Sequence, residues 1–215
     1  MVKRLIEPVV LFGGSFDPVH RGHLEAAREA AEQLSTRDIR LIPCHIPPHK
    51  DALKTKPSER VAMLELALAD YPGFSIDRWE LEQSKPSYTV DTLRRYREEI
   101  GAERGLVFLM GWDSLQTLPS WYDWQALAAL THFAVWRRPG YSALPKDVEH
   151  WLQGRRCSAE QLAAKPCGGV ALLQTTPCDV SATQLRALSA TGVSSPLLPE
   201  AVEQYIRQHK LYQNC

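Results

Sequence analysis

The apolar positions of this chain alternate repeatedly between strand-like runs and helical spacing. Val9-Val10-Leu11-Phe12 is a compact apolar run stopped by Gly13-Gly14, the pattern of a buried parallel strand. Leu24, Ala27, Ala31 and Leu34 then recur at helical spacing, so the opening unit is strand, loop, helix. Ile39–Pro43 predicts a second short strand, followed by the proline-stiffened loop Pro47-Pro48-His49-Lys50. Val61, Leu64 and Leu68 share one face of a helix whose expected N-cap is Ser58, after Pro57. Phe74–Leu81 predicts a strand and Thr89–Ile100 a helix of mixed polarity. Leu106–Met110 is a strongly apolar strand ending at Gly111, and a helix with Leu127 and Leu130 leads into a strand over His132–Trp136.

Strands alternating with helices predict an α/β fold, a parallel sheet with helices on both faces. Pro139–Gly169 is less regular, with prolines, glycines and little apolar periodicity beyond Trp151-Leu152, and reads as a surface excursion. Val170–Gln174 is the expected last strand, and Ser181–Leu188 and Pro199–His209 two closing helices within residues 181–211. Without repeats, low-complexity tracts or a long linker, one domain over residues 1–215 is the simplest organisation.

Composition narrows the function classes. The chain has 215 residues, 44% hydrophobic and 23% charged, with 25 Lys and Arg balancing 25 Asp and Glu. That balance argues against a partner such as a nucleic acid polymer or an anionic membrane, which call for a basic surplus. A small basic site inside the neutral total remains compatible. No apolar stretch approaches the roughly 18 residues of a membrane helix. The five cysteines are widely spaced without a C-x-x-C, which favours reduced thiols and a cytoplasmic location.

The chemistry concentrates in Gly13-Gly14-Ser15-Phe16-Asp17-Pro18-Val19-His20-Arg21-Gly22-His23. In an open parallel sheet, ligands bind beyond the carboxyl ends of strands, and this loop leaves such an end. Gly13 and Gly14 allow a turn and a close approach of phosphate to backbone N–H groups. Asp17-Pro18 suits the start of a helical turn, with the carboxylate as cap. His20 and His23 lie three apart and project to one side of a helical turn, beside its positive N-terminus: an anion clamp. The loop lacks the lysine of a P-loop, the G-x-G-x-x-G of a dinucleotide fold and the second glycine of G-x-S-x-G. Zinc held by His20 and His23 with Cys44, His45 or His49 is the main chemical competitor. A second segment, Ser181-Ala182-Thr183-Gln184-Leu185-Arg186, carries a capping box. It reads either as a capped helix with a solvent-facing arginine or as a second seat for polyphosphate.

With G-x-F-D-P-x-H-x-G-H near the start and S-x-T-x-x-R near the end, the chain resembles the nucleotidylyltransferase superfamily. Within it the chain looks most like the bacterial nicotinate-nucleotide adenylyltransferases. The segments that carry this are Pro47-Pro48-His49-Lys50, Ser87-Tyr88-Thr89-Val90-Asp91-Thr92-Leu93, Gly111-Trp112-Asp113-Ser114-Leu115, Leu118-Pro119-Ser120-Trp121-Tyr122, Arg137-Arg138-Pro139-Gly140 and Leu198-Pro199-Glu200-Ala201-Val202. They occur in the family's order and leave only about 141–169 outside the pattern.

The resemblance implies a Rossmann-like doubly wound fold and adenylyl transfer from ATP to nicotinate mononucleotide. It implies direct attack on the α-phosphorus, with no covalent enzyme intermediate. His20, His23 and Arg186 are the catalytic residues it carries over, and Gly13, Gly14, Ser15, Phe16, Ser181 and Thr183 join them around ATP. Mg²⁺ is expected to bridge phosphate oxygens, mostly through waters and without dedicated protein ligands. On the acceptor side, Trp121 suits stacking on a pyridine ring, and Thr89 and Tyr122 suit hydrogen bonds near its carboxylate. Asp113 suits ribose hydroxyls, and His49 and Lys50 suit the acceptor phosphate.

Plainer readings stand beside these: helix packing for Trp121, a solvated Lys50, and a helix cap for Asp113. Departures from the family pattern are Ala182, where a second hydroxyl residue is usual, and the bulky Trp112, which either narrows the pocket or contacts adenine. Related readings are an adenylyltransferase for nicotinamide mononucleotide or phosphopantetheine, and a nucleotide-binding regulatory module without turnover. Monomer and small homo-oligomer are both compatible with the sequence.

Overall fold

The computed structural model describes residues 7–46, 53–136, 143–162, 164–176 and 180–213. In chain order, β1 (Val9–Gly14) leads to α1 (Arg21–Gln33), β2 (Ile39–Pro43), α2 (Pro57–Leu68) and β3 (Phe74–Ile76). The chain continues through α3 (Thr89–Ile100), β4 (Leu106–Gly111), α4 (Trp112–Gln116), α5 (Leu127–Leu130) and β5 (His132–Trp136). It closes with α6 (Lys146–Leu152), β6 (Arg156–Cys157), α7 (Ala159–Leu162), β7 (Val170–Leu173), α8 (Ala182–Ala190) and α9 (Glu200–Gln208).

Among the described residues the strands form one seven-stranded sheet in the order β3-β2-β1-β4-β5-β7-β6. Every pairing is parallel, with Val10 opposite Ile39 on one side of β1 and Val9 opposite Leu106 on the other. The chain winds outward from β1 to β3, then returns to lay β4 on the other flank of β1. That reversal makes the β1–β4 boundary a topological switch point, where the flanking loops diverge and leave a crevice beyond the strand ends. The expected Rossmann-like, doubly wound α/β sheet is the observed one.

Side chains alternate across the sheet, and the two faces bury different helices. Val10, Phe12, Val107 and Leu109 pack with Leu24 and Ala27 of α1, Leu64 of α2, Leu185 of α8 and Val202 of α9. Val9, Leu11, Phe108 and Met110 face Val90, Leu93 and Tyr96 of α3, Leu115 of α4 and Val148 of α6. Each fully buried Val, Leu or Phe contributes about 1.5–3 kcal/mol of transfer free energy. This two-sided burial explains why the central strands read as continuous apolar runs.

Three expectations need correction. The strand expected over Phe74–Leu81 ends at Ile76, and Trp79–Glu82 forms a short 3-10 turn. Asp77 causes the break: its carboxylate accepts the Trp79 N–H at 2.8 Å, an Asx turn that competes with the ladder. The N-cap of α2 is Lys56, not Ser58; Pro57 takes the first helical position, and Glu59 reaches back to the Lys56 N–H at 2.7 Å. The helix expected with Leu127 and Leu130 is present as the short α5, entered from a 3-10 turn over Trp124–Ala126. The irregular stretch before Gly169 contains, in its described part, α6, β6 and α7, and β6 adds an edge strand to β7. A seven-residue helix and a two-residue strand are too short to display a period.

Candidate active site

The loop leaving β1 is held by packing more than by glycine turning. Neither Gly13 nor Gly14 is among the residues with positive φ; the left-handed residue here is Phe16, at φ 48°. What excludes a side chain at the glycines is aromatic contact. A Cβ at Gly13 would lie 3.1 Å from the Phe108 ring, and one at Gly14 would lie 3.0 Å from the Phe16 ring. Gly22 serves the same end, since a Cβ there would meet Val180 at 2.7 Å and the His20 ring at 3.2 Å.

His20 is the N-cap of α1 and His23 sits at its third helical position. The two imidazoles stack, with centroids 3.6 Å apart, and the His20 N–H donates to His23 Nδ1 at 3.3 Å. Phe12 and Phe16 meet His23 edge-on at 5.8 and 5.2 Å, while Trp136 meets Phe12 at 5.1 Å. The expected convergence of the histidines at a helix N-terminus is therefore present, inside an aromatic surround.

Asp17 does not cap a helix. It is buried, its peptide bond to Pro18 is cis, and its carboxylate accepts from Thr55 Oγ1 and Tyr212 OH at 2.8 and 2.7 Å and from the Lys54 N–H at 2.8 Å. Capping passes to His20 because the carboxylate turns inward to these donors. Arg60, completely buried, donates to the Ser15 carbonyl at 2.8 Å and the Cys44 carbonyl at 2.7 Å. It thereby ties the loop after β1 to the loop after β2, and burial pulls its pKa below the ordinary value. Asp17 as a hub, Arg60 and Tyr212 were missed by sequence reasoning. Their partners are distant in the chain, and no local pattern marks them.

Ser181 caps α8 as expected: its Oγ accepts the Gln184 N–H at 3.2 Å, and Gln184 Oε1 accepts the Ser181 N–H at 3.1 Å. The first N–H groups of a helix have no carbonyl partner within it, and Ser181, Ala182 and Thr183 at this end line the cleft, which suits an anion. Arg186 is not turned to solvent. It donates to the Asp17 carbonyl at 2.7 Å and to Thr183 Oγ1 at 3.1 Å, which fixes its guanidinium against the loop leading into α1.

On the opposite wall, Tyr88 caps α3, placing Thr89 at the first helical position, and the ring of Tyr88 meets Tyr122 at 4.8 Å. Trp121 is half-buried and packs edge-on against Phe108 at 6.0 Å, so it both joins the core and faces the cleft. Asp113 is exposed in the first turn of α4, whose N-cap is Gly111, so the cap reading is not the observed one. Trp112 is buried in the core and is not among the residues that line the cleft.

These groups line one cleft of about 1100 Å³ at the switch point, with His20, His23 and Arg186 on one side and Thr89, Asp113 and Trp121 on the other. Small-molecule sites usually occupy about 300–1,000 Å³, so this cleft has room for a nucleotide together with an acceptor. Gly13, Gly14, Ser15, Phe16, Ser181, Thr183 and Tyr122 also line it, along with Cys44, named in the sequence only as a zinc ligand, and Lys54, which sequence reasoning did not place there. His49 and Lys50 lie outside the described residues, as does Arg138. Among the described residues no group of three or more His, Cys, Asp or Glu side chains is arranged to hold a metal ion. Among them, too, no helix is long and apolar enough to cross a membrane.

Two helix N-termini opening onto one such cleft, each with its own cationic or imidazole side chains, suit nucleotidyl transfer, and residues 11–188 match the cytidylyltransferase-like family. A protein of Aeromonas salmonicida, named probable nicotinate-nucleotide adenylyltransferase, is 46% identical over 209 residues, 96% of this chain and 97% of its own. One of Saccharophagus degradans with the same name is 41% identical over 218 residues, 99% of both chains. The fold is also that of Plasmodium falciparum nicotinic acid mononucleotide adenylyltransferase complexed with NaAD. That structure has a TM-score of 0.75 at 16% identity, covering 97% of this chain and 98% of that one. The chain belongs to the nicotinate-nucleotide adenylyltransferase family.

Proposed function

We propose that this chain transfers the adenylyl group of ATP to nicotinate mononucleotide, giving nicotinate adenine dinucleotide and pyrophosphate. The observation that carries the reading is one cleft lined both by His20, His23 and Arg186 and by Thr89, Asp113 and Trp121. A phosphate oxygen of the acceptor attacks the α-phosphorus in line; the new P–O bond forms as the bond to the β-phosphate oxygen breaks, and pyrophosphate leaves. No protein nucleophile is required, so the work is alignment and stabilisation of charge on phosphate oxygens. His20 and His23 hold the ATP phosphates, and Arg186 with the start of α8 holds the leaving pyrophosphate. Trp121 stacks on the pyridine ring, Thr89 and Tyr122 bind near its carboxylate, and Asp113 binds ribose hydroxyls.

The carboxylate chemistry of the cleft suits a magnesium ion carried in by the nucleotide. Asp17 already accepts three hydrogen bonds, so its oxygens are committed to the fold. Mg²⁺ bound to ATP would neutralise phosphate charge while keeping most of its waters. A cytoplasmic location fits Cys157 and Cys167, which are free thiols.

Pyrophosphate release from ATP, with nicotinate mononucleotide, nicotinamide mononucleotide and phosphopantetheine supplied separately, tests the proposal. Release with the first and little with the others is expected. No release with any acceptor would sink the enzymatic reading, and a preference for the amide would sink the acceptor assignment.

A further inference from the structure

We propose that Tyr212 is a positioning residue of this reaction: its hydroxyl fixes Asp17, and the Asp17 carbonyl in turn fixes Arg186. The proposal rests on the adenylyl-transfer reading above. Tyr212 stands 195 residues from Asp17 and behind the cleft wall, so it acts only through its neighbour.

The end of α9 is shaped to deliver this phenol. The Leu211 N–H donates to the Ile206 carbonyl at 3.0 Å and the Lys210 N–H to the Arg207 carbonyl at 3.2 Å, the paired bonds of a Schellman turn. Such turns favour glycine at the left-handed position, yet Lys210 occupies it at φ 52°, and Tyr212 is left-handed again at φ 66°. Left-handed non-glycine residues persist where the surroundings over-determine them. Here the surroundings are the buried Leu211 and Tyr212 side chains, which swing the phenol under the loop after β1.

At that point Tyr212 OH donates to Asp17 Oδ1 at 2.7 Å, an oxygen that also accepts from Thr55 Oγ1 at 2.8 Å, while Oδ2 accepts the Lys54 N–H at 2.8 Å. Burial, and then the Asp17 charge, hold the Tyr212 ionisation well above the ordinary tyrosine range, so it stays a donor at working pH. Three donors pin the side chain of residue 17, and the carbonyl of the same residue receives Arg186 Nη1 at 2.7 Å. The direction in which the guanidinium points is thus set from the last turn of the chain. A misplacement near 1 Å of a group that stabilises the departing pyrophosphate costs rate steeply.

The test is a double-mutant cycle in the pyrophosphate-release assay. Tyr212→Phe keeps the ring and removes the donor; kcat is expected to fall roughly tenfold, with the acceptor KM unchanged. Introduced into Arg186→Ala, the same change is expected to cost less than about twofold, because the group it aims is gone. Thr55→Val removes another donor to the same oxygen and is expected to show the same coupling, which covers the case of a poorly folded Tyr212→Phe. Tyr96→Phe removes a buried phenol–carboxylate bond to Asp77, away from the cleft, and should leave kcat unchanged. A full tenfold loss in both backgrounds, a wild-type kcat for Tyr212→Phe, or an equal loss for Tyr96→Phe overturns the relay. Should the wild type release no pyrophosphate, the reaction assignment fails instead. Calorimetric binding of inorganic pyrophosphate, weaker in Tyr212→Phe, then still reads the relay, and equal binding overturns it.

Discussion

The rings of His20 and His23 lie face to face, their planes 19° apart, and the backbone N–H of His20 donates to His23 Nδ1. With Nδ1 acting as acceptor, a neutral His23 carries its proton on Nε2, the nitrogen that the proposed reaction uses as donor to a phosphate oxygen. His23→Ala removes that donor and leaves the fold of α1 in place. Turnover at saturating substrate should fall by roughly a hundredfold or more, as for loss of a preorganised contact to transition-state charge. A near-normal rate of pyrophosphate release would remove His23 from the mechanism.

Trp121 makes a different kind of contact. It packs against Phe108 at the edge of the core and lines the cleft, where the proposed function has it stack on the acceptor. Stacking acts alike on ground and transition states, so Trp121→Ala should raise the acceptor KM by about tenfold and leave kcat nearly unchanged. Steady-state kinetics with varied acceptor decide the matter: a lower kcat at unchanged KM contradicts stacking.

Much of this site could be read from the chain because its strands and helices are periodic and its phosphate side is local. Ile39–Pro43, Thr89–Ile100 and His132–Trp136 form with the expected bounds, since each is long enough to show its period between clear stop signals. The His20–His23 pair and the Ser181 cap were legible for the same reason: both partners lie within one helical turn. Asp17 was misread because its inward hydrogen bonds come from Thr55 and Tyr212, which no window around residue 17 contains. Arg60 resembles any other helical arginine until two loops close over it. The neutral total of 25 against 25 likewise hides a local bias, because helix N-termini and Arg186 meet at one cleft.

Gly111 ends β4 directly beneath Asp113. A Cβ at this position would come within 2.4 Å of Asp113 Oδ1 and 3.3 Å of the Trp136 ring. The flexible carboxylate can move aside whereas the ring is fixed in the core, so Gly111→Ala should redirect Asp113 and leave the sheet intact. The melting temperature is expected to change little, and the kinetic defect to match that of Asp113→Ala. Normal kinetics in Gly111→Ala would mean that the position of Asp113 is unimportant; wholesale unfolding would mean that Trp136, not Asp113, takes up the clash.

His132 opens β5 and closes the loop before β7 over the sheet. It is buried; Nδ1 accepts the Gly169 N–H at 2.9 Å, and Nε2 lies 2.7 Å from the Lys165 carbonyl, to which it donates in the tautomer this requires. Burial lowers its pKa below the ordinary 6.5, and nearby Arg97 acts in the same direction against the helping bond to Lys165. The folded chain therefore takes up this proton at lower pH than the unfolded chain does. Just below pH 6.5 the unfolded state binds more protons, so the stabilisation from neutral His132, complete above that pH, is lost as pH falls. The protonated ring would also turn an N–H toward the Gly169 N–H. Urea midpoints measured from pH 7 to pH 5 should decline more steeply for the wild type than for His132→Gln, whose amide does not titrate. Every other group is common to the two proteins, so the difference between the curves isolates this one, and parallel curves would show that His132 does not couple protons to folding.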